Sequence, residues 1–334
     1  MRDALNSFLS NKRDKLDNEE LSPQTFADYV VTCDKLVSYF NRTRHVDKFR
    51  PDDFAGYRAW LAQNISIVTL RNEINRARII FKFAHDQRLI QQPVVYGQAF
   101  DKPTARTLRK ARNEAGARLF SPEELRRILA EADVWLRAMV LLGCNGGLGN
   151  TDVAKLPQLA IDFDTGWLTY PRPKTEIQRK IPLWPETLEA LRIAIDARPT
   201  PKDPNDGDLV FLTVQGNRWV RTVPRQKQGD QDDTVAGRMR FVTRNSITGR
   251  FGRLLRRLGI NGRKRLGFYT LRHVFETVAG DSKDQVAVNA IMGHVDNSMA
   301  AHYRERISDE RLQAVVDHVH GWLFGGTDDD RQTR

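Results

Sequence analysis

The 334-residue chain has only two cysteines, Cys33 and Cys144, and they are far apart. A disulfide framework is therefore excluded as the basis of the fold, and a reducing compartment is expected. The seven histidines are scattered and pair neither as HxxxH nor with a cysteine, so we predict no metal site. No apolar run approaches ~18 residues, and the N-terminus does not resemble a signal peptide. The expected location is the cytoplasm.

Acidic residues are scarce in one part of the chain. The formal net charge is +11 and the pI is about 9.8, which favours a polyanionic partner. The segment from Arg218 to Arg265 has 14 Lys or Arg against three Asp, so it accounts for the whole excess of positive charge in the chain. Charge alone does not distinguish DNA from RNA or from a membrane surface.

Part of this basic segment has the pattern of an amphipathic helix. Its apolar stripe consists of Ile247, Phe251, Leu254, Leu255 and Leu258. Its other faces carry Arg250, Arg253, Arg256 and Arg257. We expect the stripe to lie in a core and the arginines to contact phosphate groups. A solvated charged face is the alternative.

The most specific pattern lies near the C-terminus. Arg272 occurs in Thr-Leu-Arg-His, His294 follows 22 residues later in Met-Gly-His, and Tyr303 comes nine residues after that in His-Tyr-Arg. Upstream, Lys174 lies in Arg-Pro-Lys-Thr-Glu-Ile-Gln-Arg-Lys-Ile-Pro-Leu. These motifs resemble the signature of the tyrosine recombinase, or phage integrase, family. The resemblance extends over roughly residues 20 to 325.

The resemblance implies site-specific DNA recombination through a 3′-phosphotyrosine, without metal or cofactor. Tyr303 would be the nucleophile, Arg272 the phosphate clamp, His294 the proton-transfer partner and Lys174 the general acid in a β-hairpin turn. A guanidinium suits the negative charge that develops on phosphate oxygens, and an imidazole suits transfer of the phenol proton. Tyr269 stands where the family most often has histidine, and its phenol can still donate to a phosphate oxygen.

One position departs from the family pattern Gly-Leu-Arg-x-x-Glu. This chain reads Gly-Leu-Gly-Asn-Thr-Asp, so Gly149 replaces the first catalytic arginine. Loss of one such donor typically reduces the rate ~10²- to 10³-fold. Asp152 matches the acidic position that supports this arginine, and without it we expect Asp152 to cap or bias a helix start.

Three explanations of the missing arginine are open. In the first, the glycine-rich segment from Cys144 through Gly149 to Asn150 forms a nest whose amides bind phosphate. In the second, Arg172, two residues before Lys174, moves into the vacancy. In the third, the protein binds DNA with little or no catalysis.

Pattern breaks predict five segments. They are an N-terminal arm (1–20), a helical core-binding domain (21–100), a basic linker along DNA (101–119), a catalytic domain (120–325) and an acidic flexible tail (326–334). The expected fold is mainly α with a small antiparallel β-sheet, in two domains that clamp DNA. The core-binding and catalytic assignments rest on the resemblance.

The segment after Tyr303 predicts an apolar helix that has to be buried. Its apolar residues are Leu312, Val315, Val316, Val319, Trp322 and Leu323. The resemblance implies docking on a neighbouring protomer in a tetramer around two DNA duplexes, and packing on its own core is an equal alternative. The expected partner is double-stranded DNA, with the protein associated with the nucleoid. The competing functions are a non-catalytic DNA-binding relative and, with less support, a type IB topoisomerase.

Overall fold

The computed structural model describes residues 1–114, 116, 118–225, 240–260, 263, 266–296 and 298–325. The chain divides into two compact units. One consists of Met1–Gly116 and Thr222–Thr243, and the other of Ala117–Arg221 and Arg244–Arg334. The acidic tail expected at 326–334, and part of the basic segment, lie outside the described residues.

The described part of the first unit has five α-helices. They are α1 (Arg2–Asp17), α2 (Pro23–Phe40), α3 (Pro51–Asn64), α4 (Ile67–Asp86) and α5 (Ala105–Glu114). Ser22 caps α2, since its Oγ accepts a hydrogen bond from the Thr25 amide at 3.2 Å. Helix α5, in the segment expected to be a linker, has no buried residue.

Helix α1 is part of the core, which corrects the expectation of a separate arm over residues 1–20. Its buried residues are Ala4, Leu5, Phe8 and Leu9. Phe8 packs edge-to-face against Tyr29 and Phe83. The sequence did not indicate this short apolar face because charged residues dominate the segment. The face is nevertheless sufficient to pack the helix against the core.

The second unit has nine described helices. They are α6 (Pro122–Glu131), α7 (Val134–Gly146), α8 (Asn150–Ala154), α9 (Pro185–Asp196), α10 (Ser246–Arg257), α11 (Thr270–Gly280), α12 (Gln285–Met292), α13 (Met299–His302) and α14 (Asp309–Phe324). The capping box predicted before α6 is present. Ser121 Oγ accepts from the Glu124 amide, and Glu124 Oε2 accepts from the Ser121 amide.

An antiparallel sheet in this unit carries the predicted hairpin. Strand order is β1 (Ile161–Asp162), β2 (Trp167–Thr169) and β3 (Lys180–Pro182), with Leu168 paired to Ile181. Residues 170–179 connect β2 to β3 and include Lys174. The predicted class, mainly α with a small antiparallel sheet, is confirmed.

A second pair of strands consists of β4 (Val220–Arg225) and β5 (Arg240–Asn245). The described residues 222–225 and 240–243 of this pair belong to the first unit. There the Phe241 ring packs edge-to-face on Phe26, and Thr243 Oγ1 donates to Gln24 Oε1 at 2.8 Å. No sequence pattern indicated that this segment joins the N-terminal helices.

Two predicted apolar faces pack as cores. On α10, Ile247, Phe251, Leu254 and Leu255 are buried. On α14, Leu312, Val315, Val316, Val319 and Leu323 are buried against α6, α7, α11 and α12 of the same chain. Of the two alternatives for α14, the structure therefore has packing on its own core. No helix in the described part of the chain is long and apolar enough to cross a membrane.

Candidate active site

Arg272 lies in the first turn of α11 and is only 3% exposed. Its Nη1 donates to the Gly147 carbonyl at 2.7 Å, and its Nη2 donates to the Met292 carbonyl at 2.8 Å. Within the described residues, no ion pair joins it to a carboxylate. Burial lowers the pKa of Arg272, and the charge of Arg172 lowers it further. The guanidinium is thus rigidly held and its charge is incompletely balanced, as an anion-binding group requires.

His294 lies beside this guanidinium. Its Nε2 is 2.9 Å from Nη2 of Arg272. Because a guanidinium only donates, Nε2 has to accept, which places the imidazole proton on Nδ1. Nδ1 is 3.7 Å from Oε2 of Glu276, one helical turn after Arg272 on α11. Burial is the main cause that lowers the His294 pKa, followed by the charge of Arg272. The neutral form is a proton acceptor.

The connection between β2 and β3 is tied to the residue before His294. Arg172 Nη1 and Thr175 Oγ1 both donate to the Gly293 carbonyl, at 3.2 and 3.3 Å. Gly293 has a φ of +62°, and a Cβ there would lie 2.9 Å from Cδ of Arg179. Glycine is therefore required at this position. Lys174 lies in the turn and is exposed.

Gly149 precedes α8 and belongs to the segment predicted as a possible phosphate nest. Its φ of −92° is ordinary extended backbone, and its amide donates to Asp152 Oδ2 at 2.7 Å. Asp152 thus acts at the start of α8, as expected. The Asn150 side chain lies 3.3 Å from Thr248 Oγ1. A Cβ on Gly149 would meet the Tyr269 ring at 3.3 Å, and that ring is half exposed.

Arg179 completes the cluster, although no motif in the sequence indicated a role for it. Its side chain is fully buried, and its Nε donates to the Tyr170 carbonyl at 3.1 Å. Burial lowers the pKa of Arg179 to about 10, partly opposed by Asp152, so the side chain is cationic at neutral pH. Arg179 lies two residues before the buried Ile181, on the same face of the strand. That periodicity was the available signal.

Tyr303 follows α13 and is 79% exposed. In the described part of the chain, its hydroxyl has no hydrogen-bond partner. The structure therefore brings Arg272, His294 and Arg172 together, whereas it places Lys174 and Tyr303 at the surface without a contact to them.

Comparison with known proteins identifies the family. The model of the phage integrase family matches residues 118–310. The chain belongs to this family, the tyrosine recombinases. The predicted family and enzyme class, a tyrosine-type recombinase of site-specific DNA recombination, are confirmed. No curated protein matches the sequence.

Solved structures have the same fold as this recombinase. The Tn1549 transposon integrase in complex with a circular intermediate DNA is similar, with a TM-score of 0.64 and 16% identity, over 94% of this chain and 99% of that chain. A lambda integrase dimer bound to a COC′ core site is also similar, with a TM-score of 0.62 and 12% identity, over 91% of this chain and 98% of that chain. At these identities the likeness shows the fold.

Two of the four arginines predicted to contact phosphate have protein partners in the recombinase. Arg250 Nε donates to Asp133 Oδ2 at 2.7 Å, and its guanidinium lies over the Trp135 ring. Arg257 Nη2 donates to the Glu131 carbonyl at 2.7 Å. These contacts neutralise or position both side chains within the protein, so a contact with DNA remains a prediction for them.

We expect the His294 imidazole of the DNA-free recombinase to titrate below its ordinary value of about 6.5, because burial and two nearby guanidinium groups oppose its protonation. In an Arg172→Ala variant, one repulsive charge is removed and the midpoint should rise. Histidine side-chain NMR across a pH series measures both midpoints, with His294→Gln to assign the signal. A wild-type midpoint above 6.5 would contradict this description of the site.

Proposed function

We propose that this recombinase cleaves and rejoins double-stranded DNA through a 3′-phosphotyrosine at Tyr303. The observation that carries the proposal is the buried Arg272 guanidinium, held by two carbonyls beside an accepting His294 Nε2. A fixed cation of this kind stabilises the charge that accumulates on phosphate oxygens during attack. The phosphotyrosine bond conserves the energy of the broken phosphodiester, so rejoining requires no high-energy cofactor.

Each predicted residue has a role in the proposed reaction. Tyr303 attacks phosphorus while the neutral His294 accepts the phenol proton at Nε2, which gives up its hydrogen bond from Arg272 Nη2 in that step, and Arg272 holds the non-bridging oxygens. Lys174 protonates the departing 5′ oxygen. Its exposed position in a turn suits a side chain that contacts DNA only when the duplex is bound. The Tyr269 phenol donates a hydrogen bond to the phosphate. Attack by a 5′ hydroxyl of the other strand reverses these steps.

Arg172 is the favoured candidate for a guanidinium that contacts the DNA phosphate where the family has its first catalytic arginine. Its Nη1 lies 3.2 Å from the Gly293 carbonyl, and its charge lowers the pKa of both Arg272 and His294. The nest explanation has less support, because the Gly149 amide already donates to Asp152. We expect Arg172→Ala to slow cleavage by an order of magnitude or more.

A suicide DNA substrate carrying the native site tests the proposed function. Its nick allows the short fragment that carries the new 5′ hydroxyl to diffuse away, so a denaturant-resistant protein–DNA adduct accumulates. An adduct is expected from the wild-type chain. Absence of an adduct despite tight binding would favour the non-catalytic relative. Relaxation of supercoiled DNA without any exchange between two sites would favour the topoisomerase.

Assembly and location are further parts of the proposal. A tetramer on two duplexes would place four nucleophiles at the two crossover sites. Since α14 covers its own core in this chain, docking of α14 on a neighbour would require its release first. Light scattering of the protein with one and two DNA sites measures the stoichiometry. Association with the nucleoid follows from binding to chromosomal DNA.

DNA affinity should depend steeply on salt if the exposed cations of α10 contact phosphates. Arg253 and Arg256 are exposed and, among the described residues, have no ion-pair partner. For Arg253→Glu with Arg256→Glu, we expect weaker binding to all DNA sequences and a flatter plot of log K against log salt, by roughly 0.9 per lost phosphate contact. Arg192→Glu with Lys202→Glu, at two exposed positions of the same unit outside α10, is the charge-matched comparison. An unchanged slope in the α10 variant would assign these arginines to the solvated surface.

A further inference from the structure

One arginine of the second unit is buried without the hydrogen bonds that normally accompany burial. Arg179 has no exposed side-chain surface. Its Nε donates to the Tyr170 carbonyl, whereas Nη1 and Nη2 have no hydrogen-bond partner. Buried polar groups without partners are rare, since each loses its hydration and gains nothing in return. This guanidinium therefore needs an explanation beyond packing.

Arg179 lies close to the position where the family has its first catalytic arginine. Its Nη2 lies 3.7 Å from Asp152 Oδ1, whose other oxygen accepts from the Gly149 amide. Its Cδ is next to Gly293, which precedes His294. Asp152 occupies the acidic position that in the family pattern supports the first arginine. In this chain, the guanidinium beside the Asp152 carboxylate belongs to Arg179, which directly precedes β3.

The charges around the pocket do not balance within the protein. Besides burial, the charges of Arg272 and Arg172 lower the pKa of Arg179, and the charge of Arg172 lowers the pKa of Arg272. Asp152 is the carboxylate that opposes this effect most strongly at Arg179. Burying such a cluster disfavours folding unless an anion is bound there. A scissile phosphate is an anion that would complete it.

We propose that Arg179 replaces the first catalytic arginine in its charge and in its pairing with Asp152, acting from beneath the phosphate pocket rather than by touching DNA. It is a positioning residue. It holds the Asp152 carboxylate and so the Gly149 turn, and it adds positive potential behind Arg272. This inference rests on the proposed function, because it concerns the rate of phosphodiester cleavage.

The test compares cleavage of an ordinary scissile phosphate with cleavage of a neutral methylphosphonate at the same position. The wild-type chain and Arg179→Met are each measured with both substrates, in single turnover, with DNA affinity recorded separately. We expect Arg179→Met to reduce cleavage of the phosphate ~10²-fold. We expect DNA affinity to change less than about threefold and the penalty on the methylphosphonate to be smaller than on the phosphate, because its transition state carries one negative charge fewer.

Matched variants separate this role from a structural one. Arg198→Met removes a partly buried arginine that donates to the Gly207 and Leu209 carbonyls in the same unit, and it should not change the ratio of the two rates. Arg179→Gln keeps a donor for the Tyr170 carbonyl and serves if Arg179→Met does not fold. Arg179→Lys keeps the charge and should preserve the ratio. Equal penalties on both substrates for the neutral variants would overturn the proposal.

Restoring the original arginine provides the second arm of the test. Gly149 has extended backbone, and the atoms nearest to a Cβ there are side-chain atoms of Tyr269 and Asp152 at 3.3 and 3.4 Å, so Gly149→Arg can be accommodated by small shifts. We expect Gly149→Arg to raise cleavage at least tenfold in the Arg179→Met background and little in the wild type. Absence of rescue would contradict the shared role. Absence of an adduct from the wild type would instead remove the proposed function itself.

Discussion

Tyr303→Phe is expected to abolish covalent attachment to DNA while DNA affinity stays nearly unchanged. The hydroxyl is the atom that forms the bond to phosphorus, and phenylalanine offers no replacement for it. Affinity depends mainly on contacts of cations with the phosphate backbone, which this change leaves intact. Because Tyr303 is 79% exposed, its replacement removes no core packing. Denaturing gel electrophoresis with a suicide substrate measures the adduct.

Thermal unfolding shows directly whether the Tyr303→Phe variant keeps the wild-type tertiary structure. The melting temperature should equal that of the wild type within experimental error. The matched control is Tyr269→Phe, since Tyr269 is half exposed and lies beside Gly149. It should retain adduct formation at a reduced rate. If the adduct persists in Tyr303→Phe and disappears in Tyr269→Phe, the nucleophile has been assigned to the wrong tyrosine.

Arg272→Ala is expected to slow cleavage by at least ~10³-fold, more than the loss of a single hydrogen-bond donor. The guanidinium supplies the phosphate clamp and also joins two segments of the site, through the Gly147 and Met292 carbonyls. Its removal leaves these carbonyls and His294 Nε2 without their donor. The single-turnover rate of adduct formation measures the effect, with DNA affinity determined in parallel.

Arg272→Lys tests the geometric part of this role. Lysine retains the charge but has no planar fork that reaches two carbonyls at once, so we expect a loss nearly as large as for alanine. Arg198→Ala is the comparison for the general effect of removing a partly buried arginine that donates to carbonyls. A rate within tenfold of the wild type in Arg272→Ala would mean that another group holds the phosphate.

The sequence was sufficient to predict those site residues that belong to short motifs of neighbouring residues. Arg272 and His294 were assigned from two short motifs, and they lie 2.9 Å apart in the structure. The capping box at Ser121 and the turn that carries Lys174 were also predictable, since both depend on neighbouring residues. The family model then confirmed the assignment to the tyrosine recombinases.

Features that depend on distant segments were not predicted. The burial of Arg179 beside Asp152 joins residues 27 positions apart through tertiary packing, and a charged residue before a strand ordinarily faces water. Phe241 packs on Phe26 of α2, which no local periodicity indicates. The core role of α1 was missed because charged residues dominate its composition. In each case the missing information was which partner the segment meets.

Mapping of the covalent adduct is the most direct test of the central claim. After reaction of the wild-type chain with a suicide substrate, the complex is digested with protease and nuclease, and the modified peptide is sequenced by mass spectrometry. We expect a nucleotide joined through its 3′ phosphate to Tyr303, together with a free 5′ hydroxyl on the released strand. A phosphate linked to another residue, linkage through a 5′ phosphate, or no adduct from a protein that binds the site tightly would contradict it.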